Sequence, residues 1–218
     1  MVAFAPRAHA ANISYTFDSS TQGFLNSTSG GTLSWVSTGG NPGGYVQDTW
    51  SCDCGGGSVG LAISTPNLHL SASDYGDLLQ FDISVWYTAA PINGGNTPPT
   101  LGNELVEFDG ISDNLQHTLS LSLSQGSSPV WSHVSLPVQP PGWTIAGGSQ
   151  NASQMQSFLA ANPPLTITVR PSFLDTTDYE FGIALDNFSL GPVPEPALAL
   201  PVVVILAACV LASQTKRT

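Results

Sequence analysis

The sequence predicts an all-β fold, a β-sandwich or jelly roll with one short helix. Short runs of alternating apolar and polar residues recur along the chain, and breaks rich in Gly, Pro and Asn separate them. The 218 residues include 22 Gly and 17 Pro, and 41% of the chain is hydrophobic, so it can form many turns and still bury a core. Many short strands separated by turn signals are typical of sandwich and jelly-roll architectures.

Residues 79–87 form the clearest predicted strand, because apolar and mostly polar side chains alternate with the period of a half-buried strand. Shorter alternating runs predict further strands at residues 33–36, 119–123, 131–136 and 165–169. The Gly-, Pro- and Asn-rich breaks cover residues 38–44, 54–57, 91–99 and 137–142.

One helix is expected near residue 155. Ser153 and Gln156 have the spacing of a capping box, and Met155, Phe158 and Leu159 fall on one helical face. The Asn-Pro-Pro sequence at 162–164 ends this helix.

The charge distribution excludes one class of partner. Between Asn12 and Leu190 the chain has fourteen carboxylates and one cation, Arg170, which gives this body a net charge of −13. Such a surface repels phosphates, so nucleic-acid binding is excluded. The composition suits an exported protein, or one that neutralises its carboxylates with bound cations.

The N-terminus has a feature of export signals. Ala8-His9-Ala10 matches the small-residue pattern before a signal-peptidase cleavage site. We interpret residues 1–11 as the remnant of a signal peptide whose basic and apolar parts would precede Met1. An ordinary N-terminus rich in small residues is the alternative.

The C-terminus predicts a single transmembrane helix. Residues 197–213 carry no charge, and Lys216 and Arg217 follow them. This length is at the short limit for a membrane span, and the basic end places the C-terminus in the cytoplasm. A buried core helix is the alternative, but it fits poorly because the segment is apolar on every face.

The residues before this helix carry a resemblance to a known family. Val193-Pro194-Glu195-Pro196, an apolar helix and a basic tail follow one another within residues 191–218. This tripartite segment resembles the PEP-CTERM sorting signal of proteins exported by Gram-negative bacteria. The resemblance implies processing near the motif by an exosortase, a membrane transpeptidase.

A second resemblance covers most of residues 13–190. The residues that carry it are Phe17-Asp18, Gly23-Phe24, Trp35, 39–45, 65–68, 74–76, 79–82, Trp131, Trp143, Phe158-Leu159, 167–170 and 185–190. With these residues the body resembles the laminin B domain, or laminin domain IV, of bacterial exported proteins. The resemblance implies a galactose-binding-like jelly roll of extracellular-matrix and surface proteins, usually without catalysis.

Four oxygen-bearing residues form a candidate calcium site: Asp18, Asp48, Asp186 and Asn187. Ca²⁺ takes six to eight hard oxygen ligands, which carboxylates and backbone carbonyls supply. Such an ion would join the first strand to the last. The alternative is that Asp186 caps a turn through local hydrogen bonds.

A change of phase in the last predicted strand supports a special role for residues 186–187. Ile183 and Leu185 are apolar in one phase, whereas Phe188 and Leu190 are apolar in the other. The flip predicts a β-bulge that redirects these side chains.

The acidic segment with Glu104, Glu107 and Asp109 suggests a glycoside hydrolase, which needs two carboxylates facing one sugar. Residues two apart share a strand face, so Glu107 and Asp109 point together and Glu104 points the opposite way. Solvated like charges are the simpler interpretation, and we expect no catalytic residue here.

Other catalytic centres are not indicated by the sequence. It has no G-x-S-x-G elbow, and His69, His117 and His133 show no zinc-ligand spacing. Cys52 and Cys54 form the one pair of neighbouring cysteines, for which we expect a disulfide in an exported protein, with free thiols as the alternative.

The five tryptophans are candidates for stacking on sugar rings: Trp35, Trp50, Trp86, Trp131 and Trp143. Core packing is expected for most of them. Trp50, beside the Gly-rich loop, is the best candidate for an exposed stacking residue.

The sequence therefore predicts an exported, non-enzymatic surface or extracellular protein. Its sandwich, residues 12–190, would act as an adhesion or carbohydrate- and matrix-interacting module, with polysaccharide or matrix glycan as partner. Signal peptidase and exosortase would process it. Before processing, the C-terminal helix would make it a single-pass membrane protein; afterwards it would lie at the cell surface or outside the cell. The alternative is a small polysaccharide-active hydrolase.

Overall fold

Alternating side chains create two-faced strands, and two sheets of such strands pack face to face around one core in the computed structural model. The structure describes residues 12–27, 31–52, 57–89, 98–110, 113–145, 147–173 and 179–193. The prediction of an all-β sandwich with one short α-helix is confirmed.

Fifteen strands lie within the described ranges. They are β1 (Ile13–Tyr15), β2 (Leu25–Asn26), β3 (Thr32–Gly40), β4 (Gly43–Cys52), β5 (Gly57–Ser58), β6 (Leu61–Ser64), β7 (Leu78–Ala89), β8 (Thr100–Asp109), β9 (Asn114–Thr118), β10 (Leu123–Gln125), β11 (Ser132–Pro137), β12 (Trp143–Ile145), β13 (Gly148–Ser149), β14 (Leu165–Phe173) and β15 (Tyr179–Gly191). The α-helix is α1 (Ala152–Ala160), and a 3-10 turn covers Ala72–Asp74.

The first sheet is built around the two longest strands, β7 and β15. Its strand order is β10-β7-β15-β4-β3, with β11 also paired to β7 and β1 also paired to β15. The pairs are antiparallel except β10 with β7. Ile13 of β1 lies opposite Leu190 of β15, so the first strand and the last are neighbours.

The second sheet covers the other side of the core. Its order is β13-β12-β9-β8-β14-β6-β2, and β5 pairs with β14. The apolar side chains of both sheets meet in one cluster, to which β7 and β15 contribute Phe81 and Ile183, and β8 and β14 contribute Val106 and Ile167. Burial of this apolar surface is the main driving force for the fold.

The predicted bulge in the last strand is confirmed. The register between β15 and β7 shifts between Asp186 and Ser189, and Asn187 has a φ of 49°, in the left-handed region. Leu185 and Phe188 are both fully buried, three residues apart, because the bulge turns the strand over between them.

Two local predictions differ from the structure. The capping box of α1 joins Asn151 and Gln154, which exchange backbone-to-side-chain hydrogen bonds of 3.0 Å, rather than Ser153 and Gln156. Asn caps as well as Ser, so the sequence contains two competing boxes two residues apart. The predicted strand at 119–123 is wrong for most of its length, since residues 119–122 lie between β9, which ends at Thr118, and β10, which begins at Leu123.

Several predictions concern residues outside the described ranges. They are the signal-peptide remnant 1–11, most of the sorting segment 191–218 with its helix 197–213, and Cys54. Within the described ranges, no helix has the length and apolar character needed to cross a membrane.

Trp86 lies on the opposite face of β7 from the core residues, yet it is only 3% exposed. Its indole ring rests on Gly182 of β15, its partner across the strand pair. A Cβ atom at position 182 would overlap the Trp86 ring and lie 2.7 Å from Nε1. A glycine at this place therefore allows the ring to lie against the sheet.

We expect Gly182→Ala to lower the free energy of unfolding by about 1–3 kcal/mol, because the added methyl group must displace a buried indole. Urea unfolding followed by circular dichroism measures this change. Gly60→Ala is the matched control, since a Cβ there meets no atom within 4 Å, and it should change stability by less than about 1 kcal/mol. Equal effects of the two substitutions would contradict the packing argument.

Candidate functional site

The outer face of the first sheet, which points away from the core, carries the most concentrated set of polar and aromatic side chains. Core residues such as Phe81 and Val134 alternate with residues that point outward. Asp82 of β7 lies opposite His133 of β11 on one side and Asp186 of β15 on the other. We call Asp82, His133, Asp186, Asn187 and Asn41 the polar row.

Asp82 is the centre of the polar row. Its carboxylate accepts hydrogen bonds from His133 Nδ1 at 2.8 Å, Asn187 Nδ2 at 2.8 Å and Asn41 Nδ2 at 3.3 Å. The carboxylate can only accept, so His133 carries its proton on Nδ1 and directs Nε2 outward. Asp82 is buried, whereas the His133 side chain is 57% exposed. The exposed edge of the row is thus imidazole and amide rather than carboxylate.

Asp186 fixes the β3–β4 hairpin to the last strand. Its carboxylate accepts the backbone N–H of Asn41 at 2.5 Å and that of Asn187 at 2.8 Å. Asn187 also donates from Nδ2 to the Asn41 carbonyl. A Cβ on Gly40 would lie 2.7 Å from Asp186 Oδ2, so the hairpin can approach this closely only because Gly40 has no side chain.

Trp131 and Tyr45 form an aromatic pair beside the polar row. Their ring centroids are 5.4 Å apart and their planes make an angle of 79°, an edge-to-face contact. Trp131 Nε1 donates to the Gly39 carbonyl at 3.1 Å. Tyr45 is 6% exposed, whereas Trp131 is half-buried. Trp131 is therefore an accessible ring whose orientation is set by two contacts.

The structure does not bring the four predicted calcium ligands together. Asp18 and Asp186 both face the hairpin turn, since a Cβ on Gly43 would lie 2.7 Å from Asp18 Oδ1. Asp48 is buried elsewhere, where its Oδ1 accepts from Asn26 Nδ2 at 3.0 Å. Within the described ranges, no group of three or more His, Cys, Asp or Glu is placed to hold a metal ion. Calcium binding by these residues stays a prediction.

Trp50 and Cys52 lie on β4, away from the polar row. Trp50 is half-buried, packs against the core and lies opposite Phe181 of β15. Its use in sugar stacking stays a prediction. Cys52 ends β4, and Cys54, its predicted disulfide partner, lies outside the described ranges.

The carboxylates of β8 are held by hydrogen bonds on the outer face of the second sheet. Glu107 accepts from Gln116 at 2.5 Å and from Thr168 at 3.3 Å, and Asp109 accepts from Thr166 at 2.6 Å. Both therefore contact side chains on the same face, as predicted. Glu104 alternates with them and is in phase with the core residue Val106.

A groove of about 820 Å³ lies along α1. Residues from the ends of β8, β9 and β12 form its other wall, among them Gly110, Asp113 and Ile145. The side-chain oxygens of Asn151 and Gln154, which line it, accept backbone N–H groups in the helix cap. The groove has no ring that is both accessible and fixed by polar contacts, so we favour the outer face of the first sheet as the site.

Sequence analysis singled out Asp186 and Asn187 but missed Asp82, His133 and Asn41. The available signal was the alternation Trp131-Ser132-His133, which puts an aromatic and a histidine on one face of a strand. The pairing of β11 with β7, which gives His133 its partner, has no local signature.

No protein-family model matches the sequence, and no curated protein matches it. The family 11 carbohydrate-binding module of the Clostridium thermocellum cellulase Lic26A-Cel5E is 13% identical, with a TM-score of 0.42 over 86% of this chain and 98% of the module.

Two further solved structures are similar at the same level. The L4b domain of human laminin alpha-2 is 9% identical, with a TM-score of 0.40 over 84% of this chain and 98% of the domain. An exo-beta-agarase is 13% identical, with a TM-score of 0.47 over 84% of this chain and 26% of the agarase. The assignment of a β-sandwich here rests on the sheets themselves.

Three carboxyl groups have a pKa above the ordinary range. Burial raises the pKa of Asp186, and the charges of Asp82 and Asp18 raise it further against the lowering effect of two backbone N–H groups. Burial likewise raises the pKa of Asp109, with a hydrogen bond from Thr166 lowering it and the charge of Glu107 raising it. Burial raises the pKa of Glu104.

These shifts predict that Asp186, Asp109 and Glu104 make the domain more stable as the pH falls through their raised folded-state pKa values toward the unfolded-state values of about 4. Each group binds its proton more tightly in the folded state, so its contribution is complete below the unfolded-state pKa and is lost as the pH rises through the folded-state pKa. Urea unfolding at a series of pH values measures the slope.

Asp109→Asn should reduce that slope, since an amide oxygen still accepts from Thr166 but does not titrate. Glu180→Gln, which removes one exposed carboxylate, is the control for net charge. A slope that Asp109→Asn leaves unchanged would show that the titration of Asp109 does not contribute.

Proposed function

We propose that this chain is an exported, non-enzymatic surface protein whose β-sandwich binds a glycan on the outer face of its first sheet. The partner would be a chain of the extracellular polysaccharide or of the surrounding matrix. The observation that carries the proposal is the Trp131 ring, which is accessible, fixed in orientation and next to the polar row.

Sugar recognition needs an apolar surface for the C–H face of the ring and directional partners for its hydroxyl groups. Trp131 supplies the first. His133, two residues along the same strand face, supplies the second together with Gln80, whose Nε2 donates toward His133 Nε2 at 3.4 Å. The hydrogen bonds to Asp82 fix the imidazole and the Asn187 amide before any ligand arrives. Such preorganisation lowers the entropic cost of binding.

The hydrolase alternative receives less support from the geometry. Glu107 and Asp109, its candidate carboxylates, are held by side chains of β9 and β14. The accessible aromatic ring lies on the other sheet, so these carboxylates are not beside the proposed sugar platform.

The export part of the proposal rests on the two ends of the sequence. Signal peptidase would remove the N-terminal segment, and exosortase would cut near Val193-Pro194-Glu195-Pro196 and free the domain from its membrane helix. A structural calcium ion held by Asp18 and Asp186 remains part of the proposal because both residues approach the hairpin, but the ion would have to compete with the two backbone N–H groups that Asp186 accepts.

Trp131→Ala should weaken glycan binding about tenfold, because one stacked ring contributes about 0.5–1.5 kcal/mol beyond area burial. A glycan array with the 12–190 fragment identifies the ligand, and titration calorimetry gives its Kd. Trp131→Phe should retain part of the affinity.

Val130→Ala is the control, because Val130 is 64% exposed and adjacent to Trp131 in the chain. Unchanged affinity of Trp131→Ala would place the binding site elsewhere. Release of sugar products by the wild-type fragment, lost in Glu107→Gln, would establish the hydrolase instead.

Glu195→Gln should leave the C-terminal segment uncut in a host that contains an exosortase, because the motif loses its carboxylate. Intact mass of the purified protein measures cleavage at both ends at once. Normal processing of this variant, with Glu180→Gln as the matched substitution in the domain, would mean that the motif is incidental.

A further inference from the structure

The outer face of the first sheet carries negative charge without a permanent positive one. Asp82, Asp186 and Glu180 alternate with core residues on β7 and β15 and so lie on this face. Within the described ranges the single Lys or Arg is Arg170, and it belongs to β14 of the second sheet. His133 is the one side chain of the polar row that can become a cation.

A ligand that carries carboxylates or sulfates would approach this face against the field of three fixed carboxylates and a body charge of −13. Like charges brought together at an interface cost several kcal/mol and suppress the wrong partners. The platform beside Trp131 therefore discriminates against acidic polysaccharides.

Asp82 and Asp186 are poorly placed to bind a positively charged sugar, and the exposed Glu180 lies six residues from Asp186 along β15, outside the polar row. Asp186 is 0% exposed and both its oxygens accept backbone N–H groups, and Asp82 is 5% exposed with donors from His133, Asn187 and Asn41. An ammonium group would have to displace these donors to form a direct ion pair. The groups that the row exposes are an imidazole and amides, which bond to hydroxyl groups.

We infer that the ligand of this face is an uncharged polysaccharide chain, and that the polar row excludes acidic ones. This inference rests on the proposed glycan-binding function and specifies its ligand. An uncharged chain is selected by one fixed indole ring, by neutral hydrogen-bonding groups and by buried carboxylates that already accept hydrogen bonds within the protein.

The test compares polymers that share a backbone and differ in charge. Hydroxyethyl cellulose is paired with carboxymethyl cellulose, methyl-esterified pectin with de-esterified pectin, and acetylated chitosan with chitosan. Affinity electrophoresis of the 12–190 fragment gives the Kd for each polymer. At about 0.01 M salt, the Kd for the neutral member of a pair should be at least about tenfold lower than the Kd for the acidic member.

Salt provides a second readout. The Debye length falls from about 30 Å at about 0.01 M to about 3 Å at about 1 M salt. The difference between neutral and acidic members should therefore narrow as salt is added, while binding of the neutral member changes little. Trp131→Ala should reduce binding of the neutral member at every salt concentration.

The outcomes separate the inference from the proposed function. Equal or tighter binding of an acidic member at about 0.01 M salt would overturn the inference and leave glycan binding standing. Equal or tighter binding of chitosan at about 1 M salt, where the general attraction to a body of charge −13 is screened, would do the same. If the preference for neutral over acidic polymers stays the same as salt is added, its explanation by electrostatic repulsion is contradicted. If the fragment binds no member of any pair and no neutral glycan on the array, both the inference and the proposed function are contradicted.

Discussion

The carboxylate of Asp186 is the group on which the first sheet depends. It is fully buried, and it holds the backbone of the β3–β4 hairpin and of its own bulge through two charge-assisted hydrogen bonds. A buried carboxylate without such donors would be costly, so the hairpin and the bulge must form together with it. The bulge in turn brings Phe188 and Leu190 back to the core after the phase change.

The proposed binding platform follows from this arrangement. The anchored hairpin presents the Gly39 carbonyl, which accepts a hydrogen bond from the Trp131 indole, and Tyr45 lies in the returning strand β4. Asn41, at the tip of the same hairpin, also reaches Asp82 and thus joins β4, β7 and β15 in one network. The accessible ring and the hydrogen-bonding groups beside it are therefore positioned by rigid elements, which favours a preorganised site.

Local patterns in the sequence predict much of the fold and little of the site. The alternation at 79–87 and the phase flip at 186–187 predicted β7 and the bulge, because both are properties of neighbouring residues. The contact between Asp82 and His133 joins residues 51 positions apart, and that between Asp82 and Asn187 joins residues 105 apart. Such contacts are created by strand pairing, which periodicity does not specify. The sequence favours Trp50 over Trp131 as an exposed stacking residue, because Trp50 lies beside a Gly-rich loop. In the structure Trp50 lies on the core-facing side of β4 and packs against the core.

The place of β15 in the sheet has a consequence for folding kinetics. This strand is made last in the domain, yet it lies between β7 and β4 and also pairs with β1, the first strand. The centre of the sheet is thus closed by contacts between residues far apart in sequence, which slows folding. A chain threaded through a translocon from its N-terminus would lack its central strand until almost the whole domain had crossed. If the chain is exported as proposed, late closure of this kind would keep it unfolded while it crosses the membrane.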